Sequence, residues 1–149
     1  GLLKYYGMTF ELQGFSHQFV HFAELARDHP ETNFCLVHGG MLTSDDDATV
    51  DAWKAGLEHL VPLPNVWIKC SGLNFFTNSC DIDHMRIMLD HVLDRFGAER
   101  CFYGSNFPLE KLWARYDDLV GACKQILAPR PEADQRAFFH DTAAGFYRV

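Results

Sequence analysis

His38 closes the apolar run Phe34-Cys35-Leu36-Val37 and is followed at once by Gly39-Gly40. A strand would bury a histidine there, and two glycines let the backbone turn away closely behind it. Imidazole so placed can ligate a divalent metal or transfer protons near neutral pH. The competing reading is a core histidine hydrogen-bonded to a backbone carbonyl. Three further β-rich runs also end in polar groups. MTFELQ (8–13) delivers Gln13 and is followed by Ser16-His17-Gln18, while NVWIKC (65–70) carries Lys69 and leads into Ser71. CFYG (101–104) exits through Ser105-Asn106-Phe107-Pro108. Gln13 offers hydrogen bonds to a substrate, and Ser71 and His17 are further candidate substrate contacts beside the same strand ends. Lys69 would be costly to bury unpaired. It either holds an anionic substrate group or pairs with Glu11 or Asp81. Asn106 is a site candidate whose alternative employment is capping the turn before Pro108.

Other titratable groups have plainer explanations. His17 and His21 stand four apart, a spacing used by some metal sites, but no Glu lies between them and a surface pair accounts for them. His84 and His91 share a helical face and are expected on an outer helix. Asp45-Asp46-Asp47 lacks the later glycine and terminal glutamate of a calcium loop, and reads as a helix cap.

These residues need elements to hold them. Phe19, Phe22, Ala23 and Ala26 predict one helix, ending near His29-Pro30. Ser44 to Asp47 cap a second that carries Val50, Trp53, Leu57 and Leu60. Ile87 to Arg95 predict a third, terminated by Gly97. Asp117–Leu127 and Asp134–Tyr147 predict two more. Strands alternating with helices imply a parallel sheet buried on both faces. Either an open doubly wound sheet or part of a (β/α)8 barrel satisfies the pattern. No Gly-rich phosphate loop follows a strand, which disfavours nucleotide binding. A full barrel takes about 250 residues, so 149 residues supply about half of one. In either fold the chemistry gathers at the carboxyl ends of the strands. Gln13, His38, Lys69 and Asn106 are therefore expected to converge on one cavity at one rim.

Composition narrows the function class. A net charge of −7 with 13 scattered Lys and Arg repels phosphate backbones and anionic headgroups, excluding nucleic acid and membrane partners. No apolar run approaches the roughly 20 residues needed to span a bilayer. The five cysteines form no CxxC pair and three fall in predicted strands. They read as reduced core thiols, which favours a cytoplasmic location.

The succession FELQGFSHQ, NFCLVHGGM, AWKAGL, PNVWIKCSGL, FGAERCFYGSNFP and FHDTAAGFYRV resembles the carboxyl-terminal half of the amidohydrolase-related proteins. That branch includes 2-pyrone-4,6-dicarboxylate lactonase and sugar-lactone hydrolases. The resemblance implies that residues 1–149 are the carboxyl-terminal half of a single (β/α)8 TIM-barrel domain of an α/β metal-dependent hydrolase. It implies hydrolysis of a lactone, ester or amide carbonyl in a small polar or carboxylated substrate, with water activated by histidine and one divalent metal, such as zinc, where used. His38 matches the family's later strand-end histidine, a catalytic group or metal ligand. Gln13 and Lys69 match pocket-lining positions. Asn106 stands where the family has an aspartate, and an amide cannot take a proton from water as a carboxylate does. The family's His-x-His pair belongs to a strand outside this chain. Decarboxylation on the same scaffold and a non-catalytic binding role are the alternatives. A half barrel also leaves two unpaired strand edges, which predicts a homo-oligomer.

Overall fold

The apolar runs and amphipathic stretches resolve into βα units in a computed structural model that describes residues 2–149. A short helix α1 (Leu2–Tyr5) leads to strand β1 (Phe10–Leu12), and α2 (Phe19–Asp28) follows. Strand β2 (Phe34–Val37) precedes α3 (Asp47–Leu57), and β3 (Val66–Cys70) precedes α4 (Ile82–Phe96). Strand β4 (Cys101–Tyr103) is followed by α5 (Tyr116–Leu127), α6 (Glu132–Arg136) and α7 (Thr142–Tyr147).

All four strands are parallel and lie in the order β1-β2-β3-β4. This order decides between the two architectures. A doubly wound sheet reverses direction at a switch point and carries helices on both faces. Here the order never reverses, and α2 to α5 pack on one face against Leu12, Leu36, Ile68 and Cys101. The sheet is an arc of a (β/α)8 barrel. Its opposite, inward face carries Cys35, Trp67 and Phe102, against which Phe146 of α7 packs, with ring centroids 5.3 Å from Trp67 and 5.5 Å from Phe102.

Local chemistry sets the helix ends. Asp46 caps α3 by accepting from the Thr49 amide at 3.0 Å, and Asp81 caps α4 through the amides of Asp83 and His84. Gly97, at φ 80°, ends α4. Asn65 donates to the carbonyls of Ala26, His29 and Thr32, fastening the end of α2 to the start of β3.

One expectation needs correction. The final helix is divided, because a π-turn at Ala137–Asp141 separates α6 from α7. Phe138, Thr142 and Phe146, spaced four apart, still share one buried side across it. β1 is one of the two sheet edges expected of a half barrel, and Phe10 is 43% exposed there. His84 and His91 lie on the outer helix α4 as expected, and His84 is fully buried there, its Nδ1 meeting Asp45 Oδ1 at 2.5 Å. Among the described residues no helix is long and apolar enough to cross a membrane. All five cysteines are free, and burial pushes the Cys123 thiol up to about 12 and raises those of Cys35, Cys70 and Cys101 as well.

Candidate active site

Strand β2 leaves the sheet through four consecutive residues with left-handed backbone: His38 (φ 57°), Gly39 (57°), Gly40 (80°) and Met41 (54°). For His38 and Met41, which carry Cβ atoms, this conformation costs on the order of 1–3 kcal/mol each and persists only if neighbours impose it. They do. The buried Trp53 indole of α3 donates to the Gly39 carbonyl at 2.9 Å. A Cβ on Gly40 would come within 2.8 Å of Phe19 and 3.1 Å of Trp53, so the turn closes only with glycine there. The outcome is an imidazole held out at the rim of the sheet.

The next strand fixes that imidazole. His38 Nδ1 lies 3.2 Å from the Ser71 carbonyl and 3.1 Å from its hydroxyl. A carbonyl only accepts, so the neutral tautomer that satisfies it carries the proton on Nδ1 and leaves a lone pair on Nε2, which has no partner among the described residues. The backbone-carbonyl bond posed for His38 is thus present, and it fixes the orientation of a ring that also lines a cavity. Ser71 is buried and works behind the histidine, away from the cavity.

Asn106 comes from the loop after β4 and is also left-handed, at φ 54°, a conformation asparagine tolerates better than most residues. The turn before Pro108 is held by Ser105, whose hydroxyl accepts from the Phe107 amide at 3.2 Å. Asn106 is thereby free of the capping task. Its Nδ2 donates instead to Glu110 Oε1 at 3.3 Å. Gly72 lies between Asn106 and His38. A Cβ there would sit 2.7 Å from His38 Nδ1 and 2.9 Å from Asn106 Nδ2.

A cavity of about 200 Å³ opens above these groups. Gln13, His38 and Asn106 form its polar side, and Met41, Phe75, Phe76 and Leu109 its apolar side. Lys69 does not join them. Its ammonium donates to Glu11 Oε1 at 3.0 Å on the inward face of the sheet, the structural partner foreseen among its alternatives. Tyr147 donates to the same Glu11 oxygen. Burial opposes the ionised Glu11 carboxylate, but the bonds from Tyr147 and Lys69 outweigh it and hold the carboxyl below its usual range. His17 lines a neighbouring cleft that shares Met41 with the cavity, and its ring lies parallel to Phe15.

Sequence reasoning missed Glu110 and the aromatic wall. Glu110 is 1% exposed and accepts from both Asn106 and Trp113. Its one sequence signal was its place four residues after Asn106, in reach across a helical turn. Phe75 and Phe76 sit in a loop whose path no periodicity reveals.

A catalytic zinc site takes three protein ligands. No group of three or more His, Cys, Asp or Glu side chains is assembled to hold a metal among the described residues. Of the residues lining the cavity, His38 alone is of those types, so this chain does not by itself fit a metal centre.

The sequence profile of the amidohydrolase family matches residues 2–149. An uncharacterized protein, y4mH of Sinorhizobium fredii, is 35% identical over 143 residues, covering 96% of this chain and 48% of that protein. An L-fucono-1,5-lactonase of Burkholderia multivorans is 34% identical over 111 residues, covering 70% of this chain and 38% of that one. The crystal structure of an amidohydrolase from Burkholderia multivorans with bound zinc superposes with a TM-score of 0.91 at 26% identity, covering 99% of this chain and 55% of that one. The chain thus spans about half the length, or less, of the relatives it matches. Sequence profile and superposition agree from one end of the described residues to the other, and the chain belongs to the amidohydrolase family.

Proposed function

We propose that this chain supplies one rim of a hydrolase site that opens a lactone or ester carbonyl in a small, polar-substituted substrate, with His38 as the general base. The observation that carries the reading is the Ser71-oriented imidazole, whose unpartnered Nε2 belongs to the ring lining the cavity beside Asn106. A water molecule donates one proton to Nε2 while its oxygen forms a bond to the carbonyl carbon. The tetrahedral intermediate then collapses with cleavage of the ring C–O bond. His38 returns the proton to the departing oxygen, and the product is the open hydroxy acid. Gln13 hydrogen-bonds a substrate hydroxyl, and Met41, Phe75, Phe76 and Leu109 pack against its carbon skeleton. The lactonase relative supports a cyclic ester over an amide as the first substrate to try.

The test is hydrolysis of L-fucono-1,5-lactone and other aldono-1,5-lactones by the full-length protein, followed as acid release, with wild type and His38→Asn side by side. Asparagine tolerates the left-handed backbone at position 38, so the variant should fold while turnover falls about a hundredfold or more. Undiminished turnover would remove His38 from the chemistry.

A further inference from the structure

Glu110 is a carboxylate with 1% of its surface exposed, and both of its oxygens are committed. Oε1 accepts from Asn106 Nδ2 at 3.3 Å and Oε2 accepts from the Trp113 indole at 2.7 Å. Both oxygens act as acceptors in these bonds, so Glu110 decides which end of the Asn106 amide turns toward it. The amide nitrogen must face Glu110. The carbonyl oxygen, Oδ1, is then the atom left for the cavity that Asn106 lines with His38.

We infer that Glu110 is a positioning residue that sets Asn106 as a hydrogen-bond acceptor for the attacking water; this rests on the hydrolytic reading above. The water then has an acceptor for each of its hydrogens, one at His38 Nε2 and one at Asn106 Oδ1. A lone pair on its oxygen is thereby directed at the substrate carbonyl. Asn106 need not take a proton to do this, which is how an amide serves where a base would otherwise be sought. Gly72 permits the arrangement, because any side chain there would push the amide off its bond.

A reciprocal exchange of donor and acceptor between positions 110 and 106 tests this role. In Glu110→Gln the new side chain has a single acceptor oxygen, which the Trp113 indole takes at the shorter of the two contacts. Its NH2 then faces Asn106, whose amide rotates and presents a donor to the cavity. In Asn106→Asp two carboxylates face each other with no donor between them. With both changes made together every bond is restored. The introduced glutamine accepts from Trp113 and donates to the introduced aspartate, whose second oxygen again faces the cavity as an acceptor.

The experiment measures kcat and KM for aldono-1,5-lactone hydrolysis by the full-length wild type, both single variants and the double variant, with melting temperatures to establish folding. Each folded single variant is expected to lose about ten- to a hundredfold in kcat with KM changed less than about threefold, and the double variant to recover at least about tenfold over either. Full kcat in a folded Glu110→Gln protein overturns the inference, and so does a double variant no better than the worse single one. Should Glu110→Gln fail to fold, Asn106→Asp compared with the double variant decides the matter by the same criterion. His38→Asn is run in parallel. Its undiminished turnover sinks the hydrolytic reading itself, whereas its inactivity beside a fully active Glu110→Gln sinks only the role given to Glu110.

Discussion

At the scale of single residues, the site depends on an absence of bulk. Gly72, at φ 57°, sits where a Cβ would press on His38 Nδ1 and Asn106 Nδ2 together. Gly72→Ala therefore combines a left-handed alanine, costing about 1–2 kcal/mol, with displacement of the two groups aimed at the water. The expected result is a folded protein of slightly lower urea midpoint whose lactone turnover falls about a hundredfold. An active Gly72→Ala enzyme would mean that His38 and Asn106 do not work as a pair. Glu110 makes a complementary point. It lies outside the cavity lining, yet the donor or acceptor character of a cavity-lining atom is decided by it.

Elements hold these residues by reaching across the chain. The segment between β2 and α3 carries Met41 of the cavity wall, and its acidic run divides the labour. Asp46 caps α3 while Asp45 reaches across to His84 at the start of α4. His84 is fully buried and its Nε2 has no partner among the described residues, so the ring is anchored through Asp45. Asp45→Ala removes the one partner of a ring whose Nε2 is already buried and unpaired, at a cost of about 1–3 kcal/mol. Urea denaturation of the variant should show that loss, with faster amide exchange over residues 41–46. An unchanged midpoint would show that the loop is held by packing alone.

At the scale of the whole molecule, β1 and β3 place Glu11 and Lys69 on the inward face, and the carboxyl-terminal Tyr147 completes the cluster. The Glu11 carboxyl is held below its unfolded value of about 4.3, so its contribution is present above that pH and is lost as pH falls through the lower folded value. Glu11→Gln is expected to flatten the loss of stability in that acid range and to leave the slope at neutral pH unchanged, read from urea midpoints across pH. The β1 edge is the other molecular feature. Tyr5, Tyr6 and Phe10 are exposed, and Phe10 joins Leu2, Leu25 and Phe34 in lining a cavity of about 340 Å³. Residues 1–149 prepared alone should self-associate through this edge, and a monodisperse monomer in light scattering would count against it.

Read alone, the sequence determined the elements and the type of each strand end. Apolar runs mark β-strands, and amphipathic spacing with the Ser44–Asp47 cluster and Gly97 marks helix limits, because these signals are local in the chain; the start of α4 at Ile82, capped by Asp81, came only with the structure. The sequence also determined that Gln13, His38 and Asn106 were candidates, since a polar group ending an apolar run is visible without coordinates. The tertiary structure decided what lies between elements far apart in sequence. It committed Lys69 to Glu11 across 58 positions, buried His84 against Asp45, chose the barrel arc over the doubly wound sheet, and put Gly72 between His38 and Asn106. Those outcomes follow from strand order and from which face each side chain takes, and a pairing across strands leaves no mark in the spacing of either one.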